Sequence, residues 1–131
     1  MKNIFTILIS LIGLTTFGQD WNEVIKAVAS DRAAEDHFGF AVSISGNKAI
    51  VGAKQKNNNT GAAYILELNN GVWSETAILV ASDNATGDEF GHSVCISGDK
   101  VIVGSRRADE DATGGAPLGD AGAAYVFELN N

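Results

Sequence analysis

Apolar residues recur at every second position in short runs along most of the chain, the period of a half-buried β-strand rather than a helix. Val42 and Ile44 alternate with small residues, and so do Val94 and Ile96. Each run ends at a glycine followed by Asn or Asp, Gly46-Asn47 and Gly98-Asp99, after which another apolar run begins. Such pairs accept the mirror-image backbone angles of a two-residue hairpin, so both are predicted to be hairpin tips. The runs at 49–51 and 101–103 lack alternation, as expected of strands covered on both faces. Polar loops follow, then strands at 63–68 and 124–129. A fourth type of strand spans 72–80, with Thr76, Ile78 and Val80 in alternation. Residues 21–28 would suit an amphipathic helix by propensity, but they copy 73–80 and are therefore read as a strand.

The copying is general. Residues 21–53 align with 73–105 at a constant offset of 52 without a gap, and more than half of the positions are identical. The block from Gly61 to Asn70 recurs from Gly122 to Asn131 at an offset of 61, so the second copy carries nine extra residues in the preceding loop. Repeat one thus covers about 21–70 and repeat two about 73–131. Four short strands per unit of about fifty residues describe a propeller blade. The expected fold is all-β: two four-stranded antiparallel β-propeller blades, a partial propeller.

The paired elements Phe38-Gly39 with Val51-Gly52-Ala53, and Phe90-Gly91 with Val103-Gly104-Ser105, resemble FG-GAP repeats, the blades of integrin-alpha-type β-propellers. In calcium-binding members of that family an Asp/Asn-rich loop joins the first two strands of a blade. Here that place holds only Gly46-Asn47 and Gly98-Asp99, too short to supply the six to eight oxygens calcium takes, so the family's calcium site is not carried over. The Pro of the family's Gly-Ala-Pro element is replaced by Lys54 and Arg106.

Composition narrows the class further. The 131 residues carry a formal charge of −7 with no Lys/Arg stripe, which argues against nucleic acid as a partner. Cys95 is the one cysteine, so neither an internal disulfide nor a cysteine zinc site can form. The first 18 residues have a short positive start, an apolar run at 4–14 and small residues near Gly18, the layout of a secretory signal peptide. Cleavage there leaves residues 19–131 with no membrane span and places the protein outside the cell, at the cell surface or in the periplasm. The run is shorter than the roughly 20 residues of a membrane-crossing helix.

Candidate chemistry is sparse. In the enlarged loop 106–121, Asp109 and Asp111 are the candidate ligands for a calcium ion, although the spacing does not complete an EF-hand. No other cofactor is implied. Asp31 and Asp36, copied as Asp83 and Asp88, flank the turn into Phe-Gly and are read as turn-holding carboxylates rather than catalysts. His37 and His92 are read as surface or turn residues, and Cys95 as a buried, inert thiol in an inner strand. Trp21 and Trp73 are expected to pack on outer strands and are the candidates for stacking on a sugar.

These readings converge on an exported, non-enzymatic repeat protein of adhesion or scaffold type, meeting a protein or surface through its loops. A carbohydrate-binding propeller module is the alternative, as is a piece of a longer propeller. Two blades are fewer than a propeller closes with, so apolar faces should be exposed at both ends, and a homo-oligomer could close the ring.

Overall fold

Both predicted hairpin tips form, and the left-handed backbone needed there falls on the glycines: Gly46 and Gly98 each have φ 57°. Gly46-Asn47 joins β1 (Ala41–Ser45) to β2 (Lys48–Ala53), with Ser45 opposite Lys48. In the computed structural model, which describes residues 18, 20–109 and 118–130, β3 (Ala62–Asn69) and β4 (Val72–Leu79) complete a four-stranded antiparallel meander. The turn between them is Asn70-Gly71 with both residues at positive φ, as an Asn-Gly hairpin of the mirror-image type requires. A register shift between Ile65 and Leu66 admits one extra residue on β4 and bends this edge. β5 (Phe90–Ser97), β6 (Lys100–Ser105) and β7 (Ala123–Glu128) form a second sheet in the order β5-β6-β7.

The sheets stack face to face. Ile50, Ala63, Ile65 and Leu79 of the first sheet share one apolar cluster with Val94, Ile96, Val101, Val103, Tyr125 and Phe127 of the second. Phe90 and Ala81 fill the space beside them. Backbones also approach closely: a Cβ at Gly52 would collide with the Gly91 carbonyl oxygen, and one at Gly61 with that of Phe90. Across the junction, Ile96 and Gly98 N–H groups donate to the Ser43 and Ser45 hydroxyls, both at 3.2 Å.

Alternation along β3 puts Tyr64 on the opposite face from Ala63. There Tyr64 packs with Ala29, Ala53, Ala62 and Phe38 in a smaller cluster. The outer faces follow from the repeat. Val42 and Ile44 copy the packed Val94 and Ile96 but are 68% and 66% exposed. On the far sheet Val126, which copies the packed Ile65, is 69% exposed.

Four sequence expectations are corrected. Residues 21–28 form no strand, because the copy of β4 has no β3-type edge beside it; β3 is already occupied by β4. The second sheet therefore has three described strands rather than four. Ile102 is exposed, so β6 alternates and is not covered on both faces. Cys95 is exposed for the same reason: among the described residues no sheet covers its side of the second sheet. The predicted signal peptide, residues 1–17 of it, lies outside the described residues, and among the described residues no helix is long and apolar enough to cross a membrane.

Candidate functional site

The side chains with the richest polar environment gather where the linker into each sheet meets the loop between its second and third strands. Asn57, Asn58 and Asn59 all adopt positive φ in the tight turn that opens the first such loop, a conformation Asn tolerates better than most residues. That turn directs Lys56 inward, and its side chain is only 8% exposed. The ammonium lies 3.0 Å from Asp36 Oδ2 and 3.2 Å from Asp31 Oδ2, and donates to the Asp31 carbonyl at 2.6 Å. Asp36 Oδ2 also accepts the Ala33 N–H at 2.7 Å, and Asp31 Oδ1 accepts the Tyr64 hydroxyl at 2.8 Å.

This group is electrostatically closed. Burial disfavours the charge on Asp31, but the hydrogen bonds from Tyr64 and Lys56 outweigh it and hold its carboxyl below the usual range. Burial likewise works against the Lys56 ammonium, yet Asp36 and Asp31 raise its pKa above that of a free lysine. Burial, then the Asp31 carboxylate, push the Tyr64 hydroxyl far up, so it stays a donor. Each of these groups spends its polarity on a neighbour.

The second unit repeats the frame without the lysine. Tyr125 donates to Asp83 at 2.8 Å, and Ala85 N–H donates to Asp88 at 2.8 Å. Ala108 stands where Lys56 does: its carbonyl accepts the Gly122 N–H, as that of Lys56 accepts from Gly61. A different ion pair serves this linker. Arg106 holds the buried Glu89 through two bonds, at 3.0 and 3.2 Å, and Arg107 lies 3.6 Å away. Burial raises the Glu89 pKa, but Arg106 more than compensates and holds it low. Asp36 and Asp88 thus hold turns through nearby N–H groups, as expected, whereas Asp31 and Asp83 instead anchor the linkers by accepting tyrosine hydroxyls. Lys56 and Glu89 were not singled out, since a lysine beside three asparagines reads as solvated loop.

Of the calcium candidates, Asp109 accepts the Asp120 N–H on Oδ1 at 2.6 Å and the Leu118 N–H on its carbonyl at 2.7 Å, closing the base of the enlarged loop. Asp111 lies outside the described residues. Among the described residues no group of three or more His, Cys, Asp or Glu side chains is placed to hold a metal ion. Trp73 is half-buried on β4 opposite Leu68, whereas Trp21 is 95% exposed. No ring contact joins the two tryptophans among the described residues. His37 is exposed at positive φ in the first linker; His92 packs against Phe40, ring centres 5.1 Å apart.

Beside β7 a groove of about 1060 Å³ runs between the second linker and the third strand, lined by Val80, Ser82, Asp83, Leu118 and Val126 among others. In the first sheet the corresponding place is filled by β4, and Ser30 of the linker bonds Glu75 of that strand through both its N–H and its hydroxyl.

A family model described as FG-GAP repeat matches residues 21–66 and again 73–127, the two units seen as stacked sheets. No curated protein matches the chain.

Proposed function

The chain belongs to the FG-GAP repeat family, and we propose that it is an exported, non-enzymatic interaction module that meets a protein or surface partner through the loops at the rim of its blades. The observation that carries this is the contrast between frame and loop. The two sheets keep the same first hairpin, linker carboxylates and Tyr–Asp anchors, while the connection between second and third strands is nine residues longer in the second unit. Loops carried on a rigid sheet scaffold are where recognition is placed. Propeller scaffolds serve many functions, so the reading rests on these loops rather than on the fold. The sequence at 1–18 supports export.

Two measurements test it. N-terminal sequencing of protein recovered outside the cytoplasm should begin at Gln19; retention of an intact N-terminus inside the cell contradicts export. Binding of the labelled mature chain to the producing cell's own surface should saturate, and should fall at least tenfold when the loop 106–121 is replaced by 54–60. Unchanged binding after that exchange would remove the loop from recognition.

A further inference from the structure

We propose that the open edge of β7 is completed by residues 21–28 of a second copy of this chain, so that copies join head to tail by strand addition.

The repeat itself supplies the geometry. In the first sheet β4 lies on β3, with Leu79 opposite Ala63, Ile78 opposite Tyr64, Ala77 opposite Ile65 and Glu75 opposite Leu66. Residues 21–28 copy 73–80, and β7 copies the greater part of β3. Transferring the register sets Ala27 opposite Ala124, Lys26 opposite Tyr125, Ile25 opposite Val126 and Glu23 opposite Phe127. The groove beside β7 is the space this strand enters. One polar contact is preformed on each side: Ser30 bonds Glu75 through N–H and hydroxyl, and the copies of that pair are Ser82, which lines the groove, and Glu23.

The strand comes from another molecule. Ala29, just after it, is buried against Tyr64 and Ala53 on the face of the first sheet turned away from the second. Residues 21–28 thus leave from one end of the stack, while β7 lies at the other. Strand transfer in this direction also brings the outer faces together. Val42 and Ile44 of one copy meet Ile102 and Val126 of the next, as Val94 and Ile96 meet Ile50 and Ile65 within the chain.

A second feature points to the same contact independently. Gly91 has φ 86° and lies so close to the first sheet that a Cβ there would collide with the Ala62 carbonyl oxygen. Its copy Gly39 keeps φ 92° with nothing within 4 Å of where a Cβ would stand. The backbone is shaped for a neighbouring sheet that the described residues do not provide. At that junction Ser97 takes the place of Ser45 and Cys95 that of Ser43. The Lys48–Asp99 ion pair becomes Lys100 with Asn47, so this contact loses one ion pair.

The contact is heterologous and closes into a ring if the rotation allows. Roughly three or four copies give the six or eight blades usual for propellers. Sedimentation of the full mature chain across roughly 1 to 100 μM, a range set around ordinary association strengths, should show a concentration-dependent species of three or four copies. Ile25→Pro blocks strand addition, and Val42→Asp charges an exposed face; neither residue is packed within the single chain. Each variant should keep its circular dichroism spectrum and weaken assembly at least tenfold. With Cys95→Ser, a disulfide between Ile25→Cys and Val126→Cys should link chains in series, and Val24→Cys with Val126→Cys should link far fewer. A folded wild-type monomer throughout the range overturns the proposal and leaves the β7 edge to a different occupant. Assembly that both variants leave unchanged, or that links the two cysteine pairs equally, also overturns it.

Discussion

Tyr64 donates its hydroxyl hydrogen to Asp31 at 2.8 Å, tying the linker that enters the first sheet to the third strand of that sheet. The buried Lys56 ammonium then spans Asp31 and Asp36. Removing the cation leaves a buried Asp36 carboxylate without its charge partner, which is costlier than never having built the pair. Lys56→Met should therefore destabilise the protein by about 3 kcal/mol. Urea unfolding of the variant checks this, and Lys56→Met with Asp36→Leu should recover much of the loss.

The same groups set the pH range of stability. Asp31 and Glu89 titrate lower in the folded protein than in the unfolded chain. The unfolded state therefore binds more protons as acid is added, and their contribution, present at neutral pH, is lost as pH falls through the folded values. Lys56 is shifted upward, so its contribution is complete below the ordinary lysine pKa and is lost as pH rises through the folded value. Thermal melts should show a plateau from about pH 5 to 9 with decline on both sides. Glu89→Gln should flatten part of the acid limb; an unchanged limb in that variant would assign it elsewhere.

The strands and tips of both units were legible because each is specified locally, by alternation and by glycine at a turn. Residues 21–28 read as a strand only because they copy 73–80, and they form none, since pairing needs an edge that the repeat pattern does not supply. Cys95 and Ile102 were misplaced for a related reason: their copies Ser43 and Ile50 lie on the side of the first sheet that is covered, and burial at the end of a stack depends on a neighbour. Lys56 was hidden in a polar loop whose left-handed turn folds it inward. Local order was readable; what lies beside each edge and face was not.

Close approach of the two sheets makes glycine positions unequal. A Cβ at Gly52 meets the Gly91 backbone, which cannot rotate away, whereas one at Gly104 meets the Ser93 hydroxyl, which can. Gly52→Ala should cost at least about 2 kcal/mol, and Gly104→Ala less than about 1 kcal/mol. Equal midpoints for the two variants in urea would show that the sheets separate easily.

Calcium should not bind tightly at either strand-one to strand-two turn. Gly46-Asn47 and Gly98-Asp99 are two-residue tips, and the Asp99 carboxylate is held by Lys48 at 2.6 Å. Calorimetry should give no micromolar binding there. Micromolar binding that survives Asp109→Ala and Asp111→Ala, but disappears with Asp99→Ala, would contradict this.

The two phenylalanines of the paired Phe-Gly elements should differ in energetic weight. Phe90 is fully buried, edge-on to Tyr125 and Phe127 with ring centres 5.4 and 6.1 Å away, at the junction of the sheets. Phe38 makes the same edge-on contact with Tyr64 at 5.2 Å, but on a face that no second sheet covers among the described residues, and it is only half-buried. Truncating a fully buried ring loses its transfer energy and leaves a cavity between two sheets, so Phe90→Ala should cost about 3–5 kcal/mol. At an open face the surroundings can relax and water can enter, so Phe38→Ala should cost about 2 kcal/mol or less in dilute protein. If copies join head to tail, Phe38 becomes the counterpart of Phe90 at the new junction, and its cost should rise toward that of Phe90 as concentration increases. Melting temperatures of both variants at two concentrations separate the cases. A Phe38→Ala deficit that is independent of concentration means the face stays open.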